Sequence, residues 1–186
     1  MIDVIIDCGA NLGQGYERLI DSFALTPRLV YMFDILPEAC GFLENKYPNA
    51  FVYNKGVWCE DIKKTVKREK AKINSIENVG HESNILGDIH NKTSSGAHHD
   101  WDSYEIEYIN FSNFLKTNFK STDKILLKLD IEGAEYEVMD KLISDGTICL
   151  IDSLHIEWHP HLRTDSPNDI SYYETIFNIN NINILN

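Results

Sequence analysis

Five short apolar runs, most of them followed by a segment of helical period, constrain this chain more than any other feature. Val4-Ile5-Ile6, Leu29 to Phe33, Ala50 to Tyr53, Ile125 to Leu129 and Ile148 to Trp158 are apolar largely without a break. Such runs suit strands buried on both faces, as in a parallel sheet covered by helices on either side. Leu12, Tyr16, Leu19, Ile20 and Phe23 recur at steps of mostly three and four residues, and Thr26-Pro27 ends that helix. A second helix starts at Pro37, suited to a first turn, and runs to about Tyr47; a third covers about Ala134 to Ser144 before Asp145-Gly146. A last helix near Asp169 to Phe177 precedes a strand near Ile182 to Leu185. Repeated strand-helix units imply right-handed crossovers and an α/β domain with a mostly parallel, doubly wound sheet. With 186 residues and no linker or internal repeat, residues 1–186 form one expected domain.

The rhythm breaks between Ile62 and Asp102. There the chain turns polar, through Lys63-Lys64-Thr65-Val66-Lys67-Arg68-Glu69-Lys70 and on to Asn91 to Asp100. The expected structure is one or two strands with a long excursion serving as a lid over the site, and the lysines and arginine protect a strand edge with charge.

Charge excludes several functions. Against 17 basic residues stand 29 acidic ones, a formal net charge of −12, so the overall field repels polyanions and anionic membranes. Nucleic acid is therefore not an expected partner, and neither is a membrane, because no run approaches the roughly 18 apolar residues of a span. The acids in Met1-Ile2-Asp3-Val4-Ile5-Ile6-Asp7 and the lack of a basic start argue against a secretory signal. Cys8, Cys40, Cys59 and Cys149 are scattered without CxxC spacing, which suits reduced thiols and a cytoplasmic location.

The segment Asp7-Cys8-Gly9-Ala10-Asn11-Leu12-Gly13-Gln14-Gly15 follows the first strand and opens the first helix. That position binds nucleotide-like ligands in open α/β sheets, because glycine lets the backbone approach closely and the helix start offers free N–H groups. The dinucleotide pattern GxGxxG fails at Arg18. The GxxxGxG spacing of short-chain dehydrogenases is met, but such enzymes need a YxxxK pair, and none of the nine tyrosines has lysine four residues on. An acid before the turn, Asp7, and an acid closing the second strand, Asp34, match the layout by which class I methyltransferases hold S-adenosylmethionine. In that layout Asp34 accepts both ribose hydroxyls, the turn of Gly9, Asn11 and Gly13 passes under the methionine part, and Asn54 at the third strand end touches the adenine or ribose side. A sulfonium cation is compatible with acidic surroundings and needs no phosphate cradle.

A more specific string follows the fourth long run. Lys128-Leu129-Asp130-Ile131-Glu132-Gly133-Ala134-Glu135 and the apolar helix after it resemble the KxDxEGAE motif of the FkbM family of S-adenosylmethionine-dependent methyltransferases. Asp7 to Gly13 resembles that family's DxGANxG turn, Phe33-Asp34 its FEP segment with Asp for Glu, Tyr53-Asn54 its third-strand asparagine, and Leu154 to Glu157 its acid at the fifth strand end. The resemblance implies a Rossmann-like methyltransferase domain acting on a hydroxyl of a sugar, glycan or other small molecule. Two other readings stay open: a noncatalytic or regulatory cofactor-binding module, and, against the charge, a nucleic-acid methyltransferase. Compared with the family pattern the C-terminal strand region is shortened, and a second copy of the chain is the expected cover for the acceptor.

Methyl transfer needs alignment, a base for the acceptor proton, and exclusion of water. Asp130, Glu157 and His159 close the fourth and fifth strands beside the expected donor and are the candidate catalytic residues, with Asp130 or His159 as the base. His155, Glu157 and His159 fall at two-residue steps, one strand face if the strand continues. Asp130, Glu157 and His159 are therefore also candidate ligands for a divalent metal, a candidate component and not an expected one. His98-His99-Asp100 is a weaker metal candidate. Glu132 and Glu135 flank a helix start, where acids favour the dipole. Lys128, on a buried strand, is expected to pair with an acid such as Glu157.

Overall fold

The computed structural model describes residues 2–69, 101–162 and 169–185. Strand β1 (Val4–Cys8) lies at the centre of a six-stranded sheet, between β2 (Leu29–Asp34) and β7 (Ile125–Leu129). The order is β3-β2-β1-β7-β8-β9, with β3 at Phe51–Asn54, β8 at Ile151–Ile156 and β9 at Asn183–Ile184, and every pairing is parallel. All five residues of β1 and of β7 are buried, as suits central strands that are apolar except for the paired Asp7 and Lys128.

Alternation distributes these side chains to two cores. Val4, Ile6, Cys8, Phe33, Leu127 and Leu129 join α3 (Phe111–Asn118) and α4 (Glu135–Ser144) through Phe111, Leu115, Val138 and Leu142. On the opposite face Ile5 and Leu126 meet Leu19 of α1 (Gln14–Phe23), while Met32 meets Leu43 of α2 (Pro37–Lys46). Helix α5 (Ile170–Ile179) adds Tyr173 and Phe177 to the larger core. Asp7 shares the face of Ile5, and the register sets it directly beside Lys128.

The polar region forms a second, three-stranded sheet of order β4-β6-β5, with β4 at Gly56–Trp58, β5 at Ile62–Glu69 and β6 at Trp101–Asn110. Strand β5 pairs antiparallel with β6 at the sheet edge, and Lys63 bridges Glu105 at 3.3 Å and Glu107 at 2.9 Å. The expected charged edge is therefore observed. The lid expectation for the excursion's middle and the His98-His99-Asp100 candidate lie outside the described residues.

Two elements differ from the sequence pattern. The expected strand from Ile148 starts instead as a 3-10 turn, Thr147–Leu150. Gly146 enters the left-handed region at φ 70°, and the Thr147 hydroxyl donates to the Leu142 carbonyl at 3.3 Å, tying this stretch to the end of α4. Helix α3, short and directly behind the excursion, has no long period to announce it; its start is capped by Asn110, whose side chain accepts from the Asn113 N–H at 3.1 Å. All four cysteines are free thiols. Among the described residues no helix is long and apolar enough to cross a membrane.

Candidate active site

The turn after β1 is built around Gly9. Its N–H and that of Ala10 both donate to the Phe33 carbonyl at 3.0 Å, closing the turn onto β2. Gly9 has φ 78°, and a Cβ there would collide with the Asp130 carbonyl oxygen, so the turn and the end of β7 touch only because the residue is glycine. Asn11, at φ 48°, donates its N–H to Asp34 Oδ2 at 2.7 Å, and Leu36 donates its N–H to Oδ1 at 2.9 Å. Burial raises the Asp34 pKa, and those two N–H groups partly oppose it. Each carboxylate oxygen keeps a lone pair for a further donor.

A cavity of about 290 Å³ opens at these strand ends. Gly9, Asn11 and Asp34 line one side, Asp130, Glu157 and His159 the other, and Val57 and Tyr108 of the small sheet form a wall. Two buried polar atoms, Asn11 Oδ1 and the Tyr108 hydroxyl, have no hydrogen-bond partner among the described residues. Buried polar groups are normally satisfied, so orphans on cavity-lining residues are consistent with a polar ligand. Ribose and adenine hydrogen-bonding groups suit this lining, and carboxylates opposite suit a sulfonium. Burial pushes the Tyr108 hydroxyl up to about 12, so it stays protonated. Sequence reasoning missed Tyr108; the available signal was the strict alternation of Tyr104-Glu105-Ile106-Glu107-Tyr108, and in the structure Gly56 packs against the Tyr108 ring, where a Cβ would strike it.

Three residues expected at the cofactor, Asp7, Gly13 and Asn54, are not among the residues that line the cavity. Asp7 is fully buried, with Lys128 Nζ 3.0 Å from its Oδ1. Gly13, at φ 84°, caps α1 and packs against the Tyr47 ring. Asn54 is exposed at the end of β3, where its side-chain amide donates to the Asp34 backbone carbonyl at 3.1 Å. Each therefore touches the lining through another residue: Asp7 through Lys128, Gly13 through the turn, and Asn54 through Asp34.

Lys128 does not pair with Glu157. Because Asp7 stands beside it in the register, its ammonium meets Asp7, reaches Asp130 Oδ2 at 3.3 Å and donates to the Gly9 carbonyl at 3.2 Å. Burial pulls its pKa down, but the Asp7 and Asp130 carboxylates outweigh burial and hold it above the ordinary lysine value. A Cβ at Gly15 would strike the lysine side chain, so α1 covers this pair through a glycine.

Opposite the turn, His159 has a side chain only 10% exposed. Its Nδ1 lies 3.0 Å from Oε1 of Glu135, a fully buried carboxylate that also accepts the N–H groups of Ile131 and Gly133. Its Nε2 faces Asp130 Oδ1 and Glu132 Oε2 at 3.8 Å each and Glu157 Oε1 at 3.9 Å. Glu132 and Glu135 thus do more than favour a helix dipole. Glu132 adopts φ 56°, outside the usual space of a side-chain-bearing residue, and this reversal before Gly133 turns its carboxylate toward His159. The triplet His155, Glu157 and His159 does not share one face, because β8 ends at Ile156. His155 Nδ1 instead lies 2.9 Å from the Leu185 carbonyl beside β9.

The bond to Glu135 raises the His159 pKa to about 9, with burial opposing and the Glu132 and Asp130 carboxylates adding to the rise. A two-dimensional NMR titration of metal-free protein is expected to show this value, and Glu135→Gln to return it toward 6.5. Since the folded pKa is raised, the associated stability, on the order of 3 kcal/mol, is complete below the unfolded pKa and is lost as pH rises through about 9. A wild-type value near 6.5 would contradict this geometry.

An open parallel sheet whose glycine turn and β2-terminal acid face acids at the ends of β7 and β8 across one cavity has the layout of a class I methyltransferase domain. The model of the methyltransferase FkbM domain matches residues 7–176, and the chain belongs to that family. The crystal structure of Methyltransferase FkbM from Methylobacillus flagellatus KT is similar in fold, with a TM-score of 0.54 at 16% identity. The likeness covers 96% of this chain and 37% of that one, so the chain spans well under half the length of that relative. No curated protein matches the sequence significantly.

Proposed function

We propose that this chain transfers a methyl group from S-adenosylmethionine to a hydroxyl of a sugar, glycan or other small molecule. The observation that carries this reading is the single cavity with Gly9, Asn11 and Asp34 on one side and Asp130, Glu157 and His159 on the other. When bound, the cofactor supplies an activated methyl on a sulfonium. Asp34 would hold the ribose hydroxyls through its remaining lone pairs, and the Gly9 turn would let the backbone approach the cofactor closely.

On the acceptor side Asp130 is the base. His159 is already protonated at neutral pH and has no lone pair to offer, whereas Asp130 is positioned by Lys128 on Oδ2 and presents Oδ1 to the cavity side. The cofactor would supply the electrophilic methyl carbon, and Asp130 would accept the proton of the attacking acceptor hydroxyl. Glu157, 62% exposed at the rim, is suited to hydrogen-bond an acceptor's other hydroxyls. The net charge of −12 favours neutral or cationic acceptors over nucleic acid.

Release of S-adenosylhomocysteine, measured across a panel of hydroxylated sugars and small alcohols, tests the reading. Turnover with at least one acceptor, reduced about 10²- to 10⁴-fold in Asp130→Asn, is expected for a lost general base. Tight cofactor binding with no turnover on any acceptor favours a noncatalytic binding module instead.

A further inference from the structure

We propose that Asp130, Glu132 and His159 form a binding site for one first-row divalent cation, with Glu135 orienting the imidazole. One oxygen of each acid and one histidine nitrogen lie within 4.8 Å of one another at the cavity wall. The second observation is the histidine itself. Its side chain is nine-tenths buried, and Nε2 points at carboxylate oxygens 3.8 and 3.8 Å away, beyond hydrogen-bond length.

Half-buried carboxylates facing a buried imidazole would normally close to hydrogen bonds of about 2.8 Å. Here a gap remains at the centre. Two ligands bonded at about 2.1 Å to one ion stand roughly 3.4 Å apart in a tetrahedron, so the two 3.8 Å separations from Nε2 are close to that spacing, and the three atoms, all within 4.8 Å of one another, need only draw inward to form the first shell. The outer shell is already in place: Glu135 holds Nδ1 at 3.0 Å and is itself fixed by the N–H groups of Ile131 and Gly133. A carboxylate bonded to the far nitrogen is the usual way a metal-ligating histidine is oriented. One imidazole with two carboxylates suits Mn²⁺, Fe²⁺ or Zn²⁺ better than Mg²⁺ or Ca²⁺, which favour all-oxygen shells.

The cation would take the place of the Nε2 proton, so the acids still face positive charge. Three protein ligands leave at least one position open to the cavity. Resting on the proposed methyl transfer, with Asp130 Oδ1 binding the ion through one lone pair and keeping the other for the acceptor proton, this narrows the acceptor to one with two adjacent oxygens, a vicinal diol or a hydroxyl beside a carbonyl, that replaces water on the ion. The binding itself does not depend on that reaction.

The full chain, stripped by chelation and dialysed, is titrated with MnCl₂ alone and followed by loss of the free-ion electron paramagnetic resonance signal. One equivalent bound is expected, weakened at least tenfold in Glu132→Gln and in His159→Ala and unchanged in the remote Glu107→Gln. In parallel, ZnCl₂, which is diamagnetic, is expected to shift the His159 ring resonances of the wild-type protein while leaving those of His155 in place, an arm that stands if a variant misfolds. A wild-type Kd weaker than about 1 mM, equal binding by the variants, or an unshifted His159 ring overturns the site. Failure of methyl transfer in the acceptor panel leaves these readouts untouched.

Discussion

Lys128→Met is expected to destabilise the protein by about 3–5 kcal/mol, the cost of leaving a buried carboxylate unpaired. Asp7 is fully buried, and only 5% of the lysine side chain is exposed. Removing the ammonium leaves Asp7 without its counter-ion and the Gly9 carbonyl without a donor. For a chain of this length the loss lowers the thermal midpoint by roughly 10 °C. The double variant Asp7→Val/Lys128→Met is expected to recover more than half of the loss, because replacing both charges by apolar groups removes the desolvation penalty itself. Thermal melts of the three proteins decide. A single variant within about 1 kcal/mol of wild type, or a double variant no better than the single, would show that this pair does not anchor the turn to β7.

The same pair explains why Asp7 belongs to the site without lining it. Asp7 fixes Lys128, Lys128 fixes Asp130 and the Gly9 carbonyl, and Gly9 packs against the Asp130 backbone. Asp130 and the Gly9 turn are thus held to one another across two neighbouring strands by a buried charge.

Residues whose roles follow from local pattern were legible in the sequence. The unbroken apolar runs at Val4 and Ile125 announced two-sided burial, and the strand-end positions of Gly9, Asp34 and Asp130 followed from the strand boundaries alone. Residues whose roles depend on register or on one unusual backbone angle were not. The Asp7 and Lys128 pairing needs the knowledge that β1 and β7 are neighbours in a particular register; burial of the lysine's strand called only for some acid, such as Glu157. Glu132 looked like a helix-start acid because its left-handed φ, which turns it toward His159, leaves no trace in periodicity. The step-of-two pattern from His155 to His159 misled for a related reason: alternation holds only while the strand lasts, and β8 ends at Ile156. Tyr108 was missed although Tyr104-Glu105-Ile106-Glu107-Tyr108 alternates strictly, because alternation announces a strand with one buried face and not that this face walls the cavity.

The central claim is that the cavity beside Asp34 holds S-adenosylmethionine, and isothermal titration of the cofactor into wild type and Asp34→Ala tests it most directly. Hydrogen bonds to a charged acceptor contribute about 1.5–3 kcal/mol each, so losing two to the ribose weakens binding at least a hundredfold. Asp34→Asn, which keeps one acceptor oxygen, is expected to fall between, and melting curves of all three separate lost binding from lost folding. One site in the wild type and a hundredfold weaker one in a folded Asp34→Ala protein is the result this account predicts. Equal affinity in both, or no binding by the wild type, would contradict it.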